Sequence, residues 1–247
     1  MNILLVNDDG IEARGLALLA RVMAEHGRLF VVAPQTEQSA IGHGITIHNP
    51  IRVLERTGLF PGETRAWGLE AKPADCVKFA LYALDLPVDL VVSGVNDGPN
   101  MGTDIVYSGT LAGASEAVIC GKPAIAVSTD FGFFDLAERE LSGIMAAILS
   151  SEVLSRDNVL NVNFPIRGFG RSLGIRVCNM GDRPFLHEFV EKDGEYWARG
   201  TWGEGNNPPG TDVWAFRNGY VSVTPIQVNR TNYSYMQVLR ERLPGAS

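Results

Sequence analysis

"NILLVNDDGIEARGLALLARVMAEHGRLFVVAP", residues 2–34, decides the fold. Its opening NILLV is a continuous apolar run, the pattern of a strand buried on both faces. Leu16, Leu19, Ala20 and Met23 then recur at helical spacing, and Gly27 is the expected C-cap. RLFVVAP supplies a second buried strand stopped by Pro34. A β-α-β unit this short requires a crossover between parallel strands, so the sheet is expected to be parallel. The first strand ends on adjacent carboxylates, Asp8 and Asp9. Their repulsion amounts to roughly 1 kcal/mol in bulk water and about 4 kcal/mol at an effective dielectric near 20. Solvent, a helix N-terminus or a cation has to offset it. Taken alone, Asp-Asp-Gly reads as a turn and an N-cap for the following helix.

The same alternation runs on through residue 165. It predicts helices in ADCVKFALYAL, LAGASEAVICG and LAERELSGIMAAIL, and strands in DLVVSG, PAIAVS and VLNVNFP. GITIHNPIRVLER, residues 44–56, alternates as an exposed strand or hairpin arm. Beyond Pro165 the texture changes to aromatic, turn-rich sequence, with GEGNNPPGTD, an Asn218-Gly219 hairpin signal and the strand YVSVTP. SYMQVLRERL closes as a short amphipathic helix. The expected architecture is α/β: a three-layer core with a mainly parallel sheet over residues 1–168, and a β-rich extension ending in a helix over residues 169–247. The extension serves equally as extra core or as an oligomer contact.

The 247 residues suffice to bury about three-quarters of the unfolded surface without a disulfide or metal staple. With 21 basic and 28 acidic residues the net charge is −7, which argues against duplex nucleic acid or an anionic membrane as partner. Cys76, Cys120 and Cys178 are odd in number and widely spaced, as in a reduced protein. No apolar run approaches membrane-spanning length, and a strand pattern begins at once, so a cytoplasmic location is expected.

In an open parallel sheet, ligands bind beyond the carboxyl ends of the strands, near a topological switch point. Three loops lie there. The first carries Asn7, Asp8, Asp9 and Gly10; the second, PQTEQSAIGHG, carries Ser39 and His43. The third, VNDGPNMGTDIVYSGT, sets Gly94, Gly98, Gly102 and Gly109 among Asn96, Asp97, Asn100 and Asp104. Separately, Ser39 reads as a solvated hydroxyl and His43 as a hydrogen-bonding histidine. YSGT directly precedes a small-residue helix, where backbone amides bind phosphate without basic side chains. Ser108, Gly109 and Thr110 are therefore candidate phosphate contacts, and Tyr107 is a candidate for stacking. Two carboxylates, a hydroxyl and an amide carbonyl are all oxygen donors, the set preferred by Mg²⁺ or Mn²⁺. A metal beside an anion-binding helix end implies phosphoryl chemistry.

The sequence closely resembles the SurE (survival protein E) family of nucleotidases over nearly its whole length. The resemblance rests on NDDG, APQTEQSAIGHGIT, KPADCVKFAL, VSGVNDGPNMGTDIVYSGTLAGASEA, NVNFP and TDVWAFRNGYVSVTP, in that order. It implies a Rossmann-like core and a C-terminal extension used in forming a dimer or tetramer. It also implies divalent-metal-dependent hydrolysis of nucleoside 5'- and 3'-monophosphates to nucleoside and phosphate, with short polyphosphate as a further substrate. The family's metal ligands fall on Asp8, Asp9, Ser39 and Asn96, for one Mg²⁺ or Mn²⁺ per subunit. Asp8, Asp9 and Asn96 are the implied catalytic residues, and the phosphate contacts fall on Tyr107 to Thr110, with Ser39 and Asn96 also at the substrate. Ala40 stands where many members have glycine after the serine, which restricts that loop's backbone, but several relatives share the S-A-x-G-H form, so little effect on metal binding is expected.

Two other classes fit less well. A response-regulator receiver needs a phospho-accepting Asp after a third strand, and IRVLERTG has none. Dinucleotide binding lacks the G-x-G-x-x-G turn after the first strand. A nucleotide sensor without catalysis would use the same residues, and turnover separates the two.

Overall fold

The computed structural model describes residues 1–245, so the last two positions of the expected extension lie outside it. Strands β1 (Asn2–Val6) and β2 (Arg28–Pro34) flank helix α1 (Arg14–Met23), as the opening stretch requires. Then follow β3 (Val53–Glu55), β4 (Arg65–Leu69), α2 (Pro73–Lys78), β5 (Leu90–Asp97), α3 (Gly109–Ile119), β6 (Ala124–Thr129), α4 (Asp135–Ser150) and β7 (Asn158–Asn163). The remainder is β8 (Ile175–Val177), β9 (Phe185–Lys192), β10 (Glu195–Trp202), α5 (Asp212–Arg217), β11 (Val221–Gln227) and α6 (Tyr233–Arg242).

Nine strands form one sheet in the order β3-β4-β2-β1-β5-β6-β7-β11-β8. The run from β4 through β7 is parallel throughout. β3 and β11 enter antiparallel, against β4 and β7. Alternation along β1 builds the layers. Ile3 and Leu5 face a core shared with Leu16, Leu19 and Met23 of α1 and Leu141 and Met145 of α4. Leu4 and Val6 face the opposite core, with Cys76 and Val77 of α2 and Leu111, Ala114 and Ala117 of α3. This is the expected α/β arrangement, helices on both faces of a mostly parallel sheet. The chain builds outward from β1 through β2 to β4, then returns to β5 and builds the other way. The switch point therefore lies between β1 and β5, whose carboxyl ends carry the Asp pair and Asn96.

Local readings differ from the structure in several places, each for a physical reason. The strand β4 was not expected. RAWGL has only five residues, yet it is buried because it pairs with β2. Only Val53–Glu55 of the 44–56 stretch is a strand, at the sheet edge. Helix α1 ends at Met23 with Ala24 as its C-cap, before Gly27. The Asn218-Gly219 pair ends a helix rather than turning a hairpin: Asn218 caps α5, and Gly219 follows at φ 84°. Strands from both sides of residue 168 share the main sheet, because β11 pairs with β7 and β8 with β11. Among the described residues only the β9–β10 hairpin stands apart, as a two-stranded sheet. Helix α6 buries none of its residues.

Gly15 fixes how closely α1 approaches β5: an added Cβ would overlap the carbonyl oxygen of Val95. Gly15→Ala is expected to force that helix off the sheet and to cost about 1–3 kcal/mol. A lowered urea midpoint with unchanged m-value checks it, and an unshifted midpoint contradicts it.

Candidate active site

The end of β1 and the end of β5 open onto a cleft of about 730 Å³. Asp8, Asp9, Ser39, Asn96, Tyr107 and Ser108 all line it. Gly109 and Thr110 do not; they sit behind its floor. The N-cap of α1 is Ala13, with no side-chain hydrogen bond, so the Asp pair does not cap that helix.

Asp8 is almost fully buried. Burial pushes its carboxyl up from 3.8 to about 7, and the neighbouring Asp9 charge adds to the rise. The Thr110 hydroxyl works against it, donating to Asp8 Oδ1 at 2.6 Å. Gly109 permits this approach of α3: a Cβ there would lie 2.7 Å from both Cβ and Oδ2 of Asp8. Ser108 caps the helix by accepting from the Leu111 N–H at 3.0 Å. Asp9 is raised chiefly by burial, with the charges of Asp97 and Glu37 adding to it. The Asp97 N–H opposes that rise and fixes the side chain, donating to Asp9 Oδ2 at 3.1 Å.

A buried amide network reaches the cleft through Asn100, which lines it. The Asn100 side-chain Nδ2 donates to Ser128 Oγ at 2.9 Å and to Thr110 Oγ1 at 3.3 Å. Its backbone N–H donates to Asn163 Oδ1, and its carbonyl accepts from the Nδ2 atoms of Asn161 and Asn163. The chain of contacts from β7 through Asn100 and Thr110 thus ends on Asp8. Asn161 and Asn163 stand in the expected strand VLNVNFP, with no site role expected of them. Two amides spaced i, i+2 in a run otherwise apolar were the available signal, since both project from one face of a buried strand.

On the rim, a register shift in β5 between Ser93 and Asn96 re-aims the strand end. Asn96 Nδ2 donates to the Gly98 carbonyl at 2.7 Å, which holds its amide and leaves Oδ1 as the acceptor end. The Ser39 hydroxyl donates to Glu37, a further cleft residue that is absent from the expected site. Ala40 does restrict this loop, standing in the left-handed region at φ 56°. His43 lies outside the cleft and bonds through Nε2 to buried Glu116 at 2.8 Å. Among the described residues no three His, Cys, Asp or Glu side chains gather as a metal-binding group. The oxygen set here has only two carboxylates, completed by a hydroxyl and an amide.

The family model "Survival protein SurE" matches residues 3–186. A 5'-nucleotidase SurE of Pelotomaculum thermopropionicum is 40% identical, covering 100% of this chain and 96% of the relative. 5'-nucleotidase SurE 1 of Thermus thermophilus is 39% identical over the full length of both. The crystal structure of the SurE protein from Aquifex aeolicus superposes with a TM-score of 0.82 at 34% identity, covering 98% of this chain and 99% of that one.

Removing the hydroxyl donor with Thr110→Val should raise the Asp8 pKa above about 7 and cost about 1–3 kcal/mol of stability near neutrality. Carbon-13 carboxyl titration of metal-free protein reads the first effect; a lowered Asp8 value would contradict it. A raised carboxyl pKa means the folded state holds its proton more tightly than the unfolded one. The Asp8 contribution to stability is thus full below about pH 4 and is lost as pH rises through about 7.

Proposed function

The chain belongs to the SurE family, and on that premise we propose that it is a divalent-metal-dependent phosphatase of nucleoside 5'- and 3'-monophosphates, with short polyphosphate as a further substrate. The observation that carries this reading is the meeting of the buried Asp8–Asp9 pair with the start of α3 at one cleft.

The donor set suits a hard divalent cation. Five carboxylates line the cleft; Asp104 is paired with Arg183 and the other cleft arginine, Arg14, with Glu138, which leaves Asp8, Asp9, Glu37 and Asp97 without an arginine partner among the described residues. Asp8, Asp9, the Ser39 hydroxyl and the Asn96 amide carbonyl would hold Mg²⁺ or Mn²⁺, whose preferred donors are oxygens. When bound, the cation supplies Lewis acidity toward a phosphoryl oxygen and cancels the repulsion between the two aspartates.

The remaining steps belong to the chain's own groups. The N-terminus of α3 presents partial positive charge to an anion at Ser108, favouring a phosphoryl group there. Asp9 is the more exposed of the pair. With Oδ2 held by the Asp97 N–H, its Oδ1 is left to orient an attacking water and accept its proton. Asp8, gripped by Thr110, keeps a fixed position as charge develops.

The same reading puts the enzyme in the cytoplasm, in keeping with three unpaired cysteines among the described residues. It also makes the protein a dimer or tetramer. The β9–β10 hairpin supports self-association, since Leu186, Phe189, Tyr196 and Trp197 leave large apolar surfaces exposed on it.

Asp9→Asn and Asn96→Ala are each expected to lower phosphate release from AMP by at least about 100-fold in Mg²⁺ or Mn²⁺. Wild-type turnover in either variant would remove the metal assignment. A panel of 5'- and 3'-monophosphates against Mg²⁺, Mn²⁺, Co²⁺ and Ca²⁺ tests the substrate range, and no turnover with any would leave the sensor reading. Light scattering should give a dimer or tetramer; a monomer would contradict the hairpin's role. Because protons compete with metal at Asp8, metal affinity should fall as pH drops through about 7.

A further inference from the structure

The cleft has a second wall, to which the β9–β10 hairpin contributes Trp202, that the phosphoryl chemistry does not use. Trp202, the last residue of β10, lines it together with Arg183 and Tyr107. Trp202 is held from two sides. The Arg183 guanidinium carbon lies 4.1 Å from its ring centroid, and Phe185 meets it edge-on at 4.7 Å with planes 71° apart. Yet the residue is 43% exposed. A large ring immobilised by neighbours and open on the cleft side is a stacking platform, because little side-chain freedom is left to lose on binding.

Arg183 is itself fixed. It is buried, pairs with Asp104, and its carbonyl accepts from the Thr103 hydroxyl at 2.9 Å. Asp104 accepts in turn, through its backbone carbonyl, from the Tyr107 N–H at 2.9 Å. Ser108, at the start of α3, comes next in the chain. One continuous wall thus runs from the proposed phosphate contact through Tyr107, Asp104 and Arg183 to Trp202. Asp212 braces its far end, its Oδ2 accepting from the Gly102 N–H at 3.0 Å and its Oδ1 from the Gly181 N–H at 2.7 Å.

We infer that the face of Trp202 turned away from Arg183 is the base subsite: the nucleobase stacks there, with Arg183 behind the ring, while the phosphate lies at Ser108. This rests on the nucleotidase reading above and adds the residue that reads the base. Stacking accepts any base because each has a π-face, and it favours the larger purines. The cleft's about 730 Å³ is ample for a nucleoside monophosphate.

The test compares Trp202→Ala and Trp202→Phe with the unaltered full-length chain on AMP, UMP and ribose 5-phosphate, which carries the phosphate but no base. In Trp202→Ala the ratio of kcat/KM for AMP to that for ribose 5-phosphate should fall about tenfold, mainly through KM, and less for UMP. Trp202→Phe should recover most of the ratio. An unchanged ratio in Trp202→Ala, or an equal loss on both substrates, overturns the assignment. A second readout needs no turnover: with EDTA present, adenosine should quench intrinsic fluorescence in the unaltered chain and lose that quench in Trp202→Phe. Equal quenching in both overturns the base subsite. Should the chain hydrolyse no phosphomonoester while the Trp202-dependent quench persists, the phosphatase reading fails and the base subsite stands.

Discussion

The interaction on which the rest of this site depends is the hydrogen bond from Thr110 to Asp8. A carboxylate at the end of a central strand is carried into the protein, where an unpaired charge costs several kcal/mol. Its carboxyl responds by rising to about 7, and the 2.6 Å bond from Thr110 limits that rise. Thr110 is in turn oriented by Asn100, whose other hydrogen bonds reach Ser128 on β6 and Asn161 and Asn163 on β7. Three strands and a helix therefore share the work of holding one side chain. A polar network of this kind is stable only when nearly every member is satisfied, so each amide has little freedom to rotate.

Much of the architecture was legible in the first 34 residues because both relevant signals were local. NILLV and RLFVVAP are apolar on both faces, and the helix between them has a clean period. From these the parallel sheet follows, and with the loops after the later strands the rule that ligands bind at the carboxyl ends brings Asp8, Ser39 and Asn96 to one rim; the position of the switch between β1 and β5 comes from the strand order itself. The errors arose where tertiary pairing overrode local pattern. RAWGL is too short to announce a strand, and only β2 makes it one. Asn-Gly is the strongest short hairpin signal, but Asn and Gly also end helices. After TDVWAFR the second use prevails, because Thr211 accepts from the Trp214 N–H and starts a helix seven residues earlier.

The site residues divide the same way. Asp8, Asp9, Asn96 and Ser108 announce themselves by position at strand ends and a helix start. Arg183 and Trp202 do not, since nothing in their neighbourhood distinguishes them from solvated hairpin residues. Arg183 is placed by its pairing with Asp104, 79 positions away in the chain, and Trp202 by Arg183 in turn, which no local pattern encodes.

These differences give the two halves of the cleft different mechanical characters. Asp8, Thr110 and Asn100 belong to the buried side, where packing and hydrogen bonds set each atom. Ser39 belongs to a surface loop, and its position is set by backbone instead. The Gln38 N–H donates to the Asp8 carbonyl at 2.8 Å, and the Gly42 N–H donates to the Tyr107 carbonyl at 2.9 Å. The loop is thus tied at both ends to the site it completes, and between the ties Ala40 takes the left-handed turn at φ 56°. An alanine pays for that conformation with roughly 1–2 kcal/mol that a glycine would not need, but it also narrows the loop's alternatives. Restriction at Ala40 pre-sets Ser39 near the carboxylates without a single buried side-chain contact. The loop therefore brings Ser39 to the cleft opposite the rigid side, while Ser39 and Glu37 stay open to solvent.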